Sequence, residues 1–215
     1  MDANKIDGKF FITCLLAIGL IELLTGYAAG FLSGINPLWL VGVARVLEIG
    51  LIFILLILTG KGLSALGLES RGLLHGMKRG LVWSACFGAV AAVAMAILFF
   101  AGVNALKWFQ MPLPGGFAHL ALFFVVGGVV GPVAEEVFFR GVCYGFFRQW
   151  GMVAALILTT LLFVSAHALK TGVPLTQIVG GVVFALSFEF EKSLMVPMVI
   201  HILGNLALFS IAFFS

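Results

Sequence analysis

A chain of 215 residues with 62% hydrophobic and 10% charged residues, a formal net charge of +3 and a mean hydropathy of +1.21 lies far outside soluble usage, which is about 45–50% apolar and about 25% charged. Those figures exclude a soluble globule. They also exclude a nucleic-acid surface, because the basic residues sit in short loops between apolar runs. The runs are long and uniformly apolar, not alternating, so the fold class expected is an all-α, polytopic transmembrane bundle and not a barrel.

Windows of about 20 residues predict seven spans, near 10–32, 38–58, 80–100, 118 to about 148, 152–168, 175–188 and 194–214. The first is too long, and lacks an A-x-A site, to be a cleaved signal peptide, so it is expected to be retained. The connector 61–79 carries Lys61, Arg71, Lys78 and Arg79 against Glu69, and its Leu pattern predicts a helix lying at the interface. The whole of 1–215 reads as a single transmembrane domain, with a core at about 118–210. Lys5, Lys9, the connector, Arg148 and Lys192 fall on one side, and Lys107 and Lys170 on the other. The positive-inside rule then puts the N-terminus in the cytoplasm. Cys14, Cys86 and Cys143 lie in apolar spans without a C-x-x-C pair and read as free thiols.

Against this apolar background stand Glu135, Glu136, Arg140, His167, His201 and Asn205, all inside the last four spans. A charge near the bilayer centre is disfavoured by roughly 2.5–3.5 kcal/mol on insertion scales, so such a cluster is a functional hypothesis by default. Glu136 and Arg140 are four apart and share a helix face; Glu135 is turned about 100° away, which leaves it free for chemistry. His201 and Asn205 are likewise four apart and are expected to project toward one point.

Depth tests whether these groups can meet. If the fourth helix runs unbroken to Arg148, Glu135 lies about 20 Å in, His167 about 22 Å from the same side, and His201 and Asn205 about 14 and 20 Å past Lys192. They share one layer only if the helix is long and Arg140 is itself buried, with Pro132 marking a kink or a new segment. A carboxylate and an imidazole in a dry layer can take a proton from water and make it a nucleophile, while a second imidazole and a carboxamide are donors for an oxyanion. Together they describe water-mediated amide hydrolysis. Glu135, His167 and His201 could equally be three ligands of a catalytic Zn2+ with one open position.

Glu135-Glu136-Val-Phe-Phe-Arg140 resembles the E-E-x-x-x-R motif of the CPBP family of intramembrane proteases, which includes the CAAX prenyl endopeptidases and bacteriocin-processing proteins. Phe163-Val-Ser-Ala-His167 is similar to its F-x-x-x-H motif and His201-Ile-Leu-Gly-Asn205 to its H-x-x-x-N/D motif, in the same order. The resemblance implies an endopeptidase with its site inside the membrane, in which Glu135 and His167 activate water and His201 with Asn205 stabilises the oxyanion. It implies a metal-free glutamate mechanism, although the family has also been labelled metalloprotease. Its substrates imply a membrane-tethered partner: a prenylated C-terminus, a leader peptide or a sorting segment. A prokaryotic cytoplasmic membrane is the location expected, and no oligomeric state follows.

Four other readings compete. Glu135, Glu136 and Arg140 could be an ion-pair knot between helices, and His201 with Asn205 could be interhelical hydrogen-bond glue. The carboxylates and histidines could form the relay of a small proton-coupled transporter, which the missing inverted repeat argues against. A non-catalytic peptide-binding immunity protein would have no chemical reason to keep both Glu135 and His167. Outside the motifs, Arg45 is expected to pair with Glu48 three residues on, and with Glu22 across the first two spans. Glycines 127 and 131, and 141 and 145, are expected to form small-x-x-x-small packing faces.

Overall fold

The computed structural model describes residues 6–32, 34–69, 72–167 and 174–214. Seven helices account for the fold among them: α1 (Gly8–Phe31), α2 (Pro37–Leu58), α3 (Leu73–Phe100), the long α4 (Phe117–Trp150), α5 (Met152–His167), α6 (Leu175–Glu191) and α7 (Met195–Phe214). α1 to α4 and α7 are long and apolar enough to cross a membrane, which makes this an integral membrane protein. α5 and α6, at 16 and 17 residues, are shorter than the five.

Local chemistry sets the helix starts. The Asp7 carboxylate accepts from Phe10 N–H at 2.9 Å and opens α1; Asn36 does the same for Leu38 N–H at 2.9 Å, with Pro37 in the first turn of α2. The connector differs from expectation. Its described part is a 3-10 turn over Leu63–Leu66, and Lys78 and Arg79 already belong to α3. Leu66 is fully buried, and Gly67 O accepts from Leu194 N–H at 3.0 Å, so the connector is drawn into the bundle instead of lying flat. A side chain at Gly67 would meet the Phe188 ring at 2.8 Å, and its φ of +78° suits glycine. Arg71, Lys5 and Lys170 lie outside the described residues.

α4 is the axle of the bundle. Its 34 residues would reach about 50 Å at about 1.5 Å per residue, well beyond the roughly 30 Å apolar core. Val137 and every residue from Phe139 to Tyr144 are buried, so this stretch is surrounded on all sides. Phe10, Phe11 and Cys14 of α1, Ile52 and Leu56 of α2, and Phe184 and Phe188 of α6 belong to the same core. Cys14 and Cys143 are buried free thiols; Cys86, expected to fill space, is exposed on α3.

Two π-helical stretches interrupt α4, at Val126–Val130 and Val137–Tyr144. Pro132 explains the first. Gly131 N–H reaches back to Val126 O, so the next carbonyl, Gly127 O, would look in the same register to residue 132. Proline has no N–H to give. The helix continues, but one carbonyl is left for a partner outside it.

Ion pairs stitch one end of the bundle. Lys61 Nζ meets Asp7 at 2.9 Å, Arg79 meets Glu191 at 2.6 Å, and Glu189 gathers Arg148 at 3.0 Å, Lys192 at 2.8 Å and the Tyr144 hydroxyl at 2.9 Å. These residues tie α1, the connector, α3, α4 and α6 at a common face, as the alternation of basic loops predicts. Burial pushes the Glu189 carboxyl up, but the hydrogen bonds from Arg148, Lys192 and Tyr144 outweigh it and hold its pKa at about 2.

Candidate active site

α4 continues through both π stretches to Trp150 and buries Arg140 completely, as the depth argument requires. Its guanidinium donates from Nη1 to Glu136 Oε1 at 3.0 Å and from Nη2 to Gly181 O of α6 at 3.2 Å. It also lies 4.7 Å from the Phe163 ring centroid and 5.1 Å from that of Phe184, a desolvated arrangement in which cation–π attraction is strongest. A Cβ at Gly181 would meet Thr160 at 2.9 Å, so glycine lets α6 come close enough to lend its carbonyl.

Glu136 has a second partner that the spacing did not reveal. His201 Nδ1 donates to the same Oε1 at 2.7 Å, since a carboxylate can only accept. The ring of His201 stacks on Phe184, with centroids 4.5 Å apart and planes 22° apart. The imidazole is thereby held from one edge and one face, and its Nε2 lies 3.8 Å from Glu135 Oε2.

Glu135 points away from Arg140, as its 100° offset predicts, and faces His167: Oε2 is 3.6 Å from Nε2. At that separation the two do not hydrogen-bond directly, and Oε2 is buried without a partner. His167 Nδ1 lies 2.8 Å from the carbonyl of Phe163, one turn back on α5. A carbonyl accepts, so Nδ1 carries the hydrogen and Nε2 of the neutral ring presents a lone pair toward Glu135. Exposure grades across the cluster: the side chains of Glu136 and Arg140 are 0% exposed, His201 7%, Glu135 18% and His167 30%.

Asn205 has a partner that the i, i+4 spacing with His201 did not reveal. Its Nδ2 donates to Gly127 O at 2.9 Å, the carbonyl that Pro132 cannot serve. The carboxamide thus locks α7 to the upper π turn of α4. Gly127 and Gly128 also face α7, where a Cβ would meet Phe209 at 3.2 Å and Leu206 at 2.6 Å respectively. Gly141 instead receives Leu66 of the connector.

Of the alternative zinc set, Glu135 Oε2 lies 3.6 Å from His167 Nε2 and 3.8 Å from His201 Nε2, while among the described residues no group of three or more His, Cys, Asp or Glu is disposed to hold a metal ion. The residues sequence reasoning missed are Gly181 and Phe184 of α6 and the carbonyls of Gly127 and Phe163. The glycine pair 180–181 in mid-span was the available signal for the first.

Fold and site together define a polytopic helical membrane protein with a carboxylate–imidazole centre inside its bundle. Residues 117–207 match the family model described as Type II CAAX prenyl endopeptidase Rce1-like. That stretch holds all three motifs, and the match supports a CPBP-type, CAAX-protease-like intramembrane peptidase. No curated protein and no solved structure matches the chain.

Proposed function

We propose that this protein is an intramembrane endopeptidase that hydrolyses a peptide bond in a membrane-associated protein or peptide, using water activated by Glu135 and His167 without a metal. The observation that carries the reading is the gap between Glu135 Oε2 and His167 Nε2: 3.6 Å, two acceptors face to face, one of them buried and unpartnered. A water donating one hydrogen to each satisfies both and leaves an oxygen lone pair for attack. As that oxygen bonds to the scissile carbonyl carbon, its proton passes to Glu135, and the carbonyl oxygen gains the negative charge. His201, as imidazolium paired with Glu136, donates to that oxyanion from Nε2. Asn205 has one amide hydrogen committed to Gly127 O and one left for the same task. Collapse of the tetrahedral intermediate breaks the C–N bond, and the proton on Glu135 goes to the leaving amine.

The substrate classes considered are a prenylated C-terminus, a leader peptide and a C-terminal sorting segment, with the N-terminus of the enzyme in the cytoplasm of a prokaryotic cell. The test is cleavage of quenched fluorogenic peptides of these three classes by the purified chain in proteoliposomes. Cleavage that disappears in Glu135→Gln and in His167→Ala, with both variants inserted and folded, supports the reading. Full activity in either variant overturns it.

A further inference from the structure

Glu22 of α1 and Arg45 and Glu48 of α2 form a second ionisable cluster in the apolar layer, separate from the motif residues. Arg45 Nη1 meets Glu22 Oε1 and, at 2.7 Å, Glu48 Oε2. Two carboxylates on one guanidinium leave a surplus negative charge. Glu48 is 4% exposed and its Oε1 is buried with no hydrogen-bond partner, a costly state for an ionised oxygen in apolar surroundings.

The cluster is placed to serve the same reaction. Arg45 lies thirteen residues before Leu58 and Glu135 thirteen before Arg148, so each is about 20 Å from the ion-paired face. α2 packs directly on α4, where a Cβ at Gly42 would touch Val126 at 3.0 Å. The Glu22 side chain is 44% exposed, so the cluster opens outward. An apolar groove between α1 and α2, lined by Ile21, Leu24, Val43 and Leu47 among others, runs beside it.

We infer that Glu22, Arg45 and Glu48 form a cation-recognition site that takes the ammonium or guanidinium group of a basic residue in the substrate segment. This rests on the peptidase reading. A basic side chain supplies what the cluster lacks: N–H donors for Glu48 Oε1 and Glu22, one compensating charge, and an aliphatic stem that lies along the groove. Arg45 holds the two carboxylates apart and oriented.

The experiment uses the full chain purified in detergent, with octylammonium as probe and octanol, octanoate and sodium ion as controls, read by the midpoint of thermal unfolding and by displacement titration. Octylammonium is expected to bind about tenfold or more tighter than octanol, as for a charge-assisted hydrogen bond. That advantage is expected to persist in Glu135→Gln and to vanish in Glu22→Gln and Glu48→Gln. Equal binding of octylammonium and octanol to the unmodified chain overturns the inference without recourse to any variant. Preference for octanoate, equal stabilisation by sodium ion, or an undiminished advantage in Glu22→Gln overturns it as well. Selective ammonium binding without cleavage of any peptide would sink the peptidase reading and leave the cation site standing.

Discussion

His201 Nδ1 and Glu136 Oε1 are 2.7 Å apart, and that oxygen also takes Arg140 Nη1 at 3.0 Å. The pairing read from sequence as a helix-face clamp is therefore a three-residue chain from α4 to α7. Removing the Glu136 charge leaves Arg140 buried and uncompensated, which costs about 3–5 kcal/mol. It also removes the group that orients His201, for which losses of about 10⁴ in kcat are known in the analogous His–Asp arrangement. Glu136→Gln is expected to lose both stability and activity. Glu136→Leu combined with Arg140→Leu is expected to recover much of the thermal midpoint, because apolar replacement of a buried pair is often neutral, while activity stays lost. Recovery of activity in the double variant would assign Glu136 to structure alone.

Glu135 is expected to show the opposite separation. Its Oε2 has no hydrogen bond in the folded protein, so Glu135→Gln removes no satisfied contact and should leave the unfolding midpoint unchanged or raised. Activity should fall by about 10²–10⁴ or more, the usual range for a lost general base. Parallel measurement of the unfolding midpoint and single-turnover cleavage distinguishes this from a structural carboxylate, which would lose stability.

The spans were legible because the length and apolarity of a run are local properties. Arg140 burial was legible too, since rise per residue converts sequence position into depth. Contacts that depend on where helices cross were not. Glu136 and His201 are 65 residues apart, and nothing local says that they meet. The partner of Asn205 was illegible for a different reason: Gly127 O is free to accept only because a π turn ahead of Pro132 strands that carbonyl. The connector was misread because its Leu pattern suits an interface as well as a turn whose Leu66 plugs the space above Gly141.

Metal removal provides a direct check on the mechanism. With Glu135 and His167 sharing a water, dialysis against a strong chelator is expected to leave cleavage unchanged, and elemental analysis should find zinc well below one per chain. Stoichiometric zinc lost in step with activity would reassign Glu135, His167 and His201 as ligands.

Glu189 sets an acid limit on the ion-paired face. Its folded pKa of about 2 lies below the ordinary 4.5, so the unfolded chain takes up its proton first as pH falls. The stability it supplies is fully present above about 4.5 and is lost as pH drops toward 2. Glu189→Gln is expected to unfold more easily at pH 7, by roughly 1–3 kcal/mol for hydrogen bonds to a charged group, and to lose less stability between pH 5 and pH 3 than the unmodified chain, as followed by denaturant titration at each pH. Parallel pH curves for the two proteins would rule Glu189 out as the titrating group.

Gly76 and Gly80 are the only buried residues of α3, and through them α3 meets α7 and the turn before it. A Cβ at Gly80 would stand 2.7 Å from Val199 Cβ and 3.1 Å from Val196 O, neither of which is a flexible chain end. Gly80→Ala must therefore push the helices apart, at about 1–3 kcal/mol for an overpacked contact. Gly88, two turns on, has nothing within 4 Å of its Cβ position. There the same substitution gains helix propensity, up to about 1 kcal/mol. The two variants should shift the thermal midpoint in opposite directions. α3 contributes no group to the Glu135 cluster, so kcat per folded molecule is expected to stay within about twofold in both. A matching loss in Gly88→Ala would show that α3 packs through a face other than its glycines.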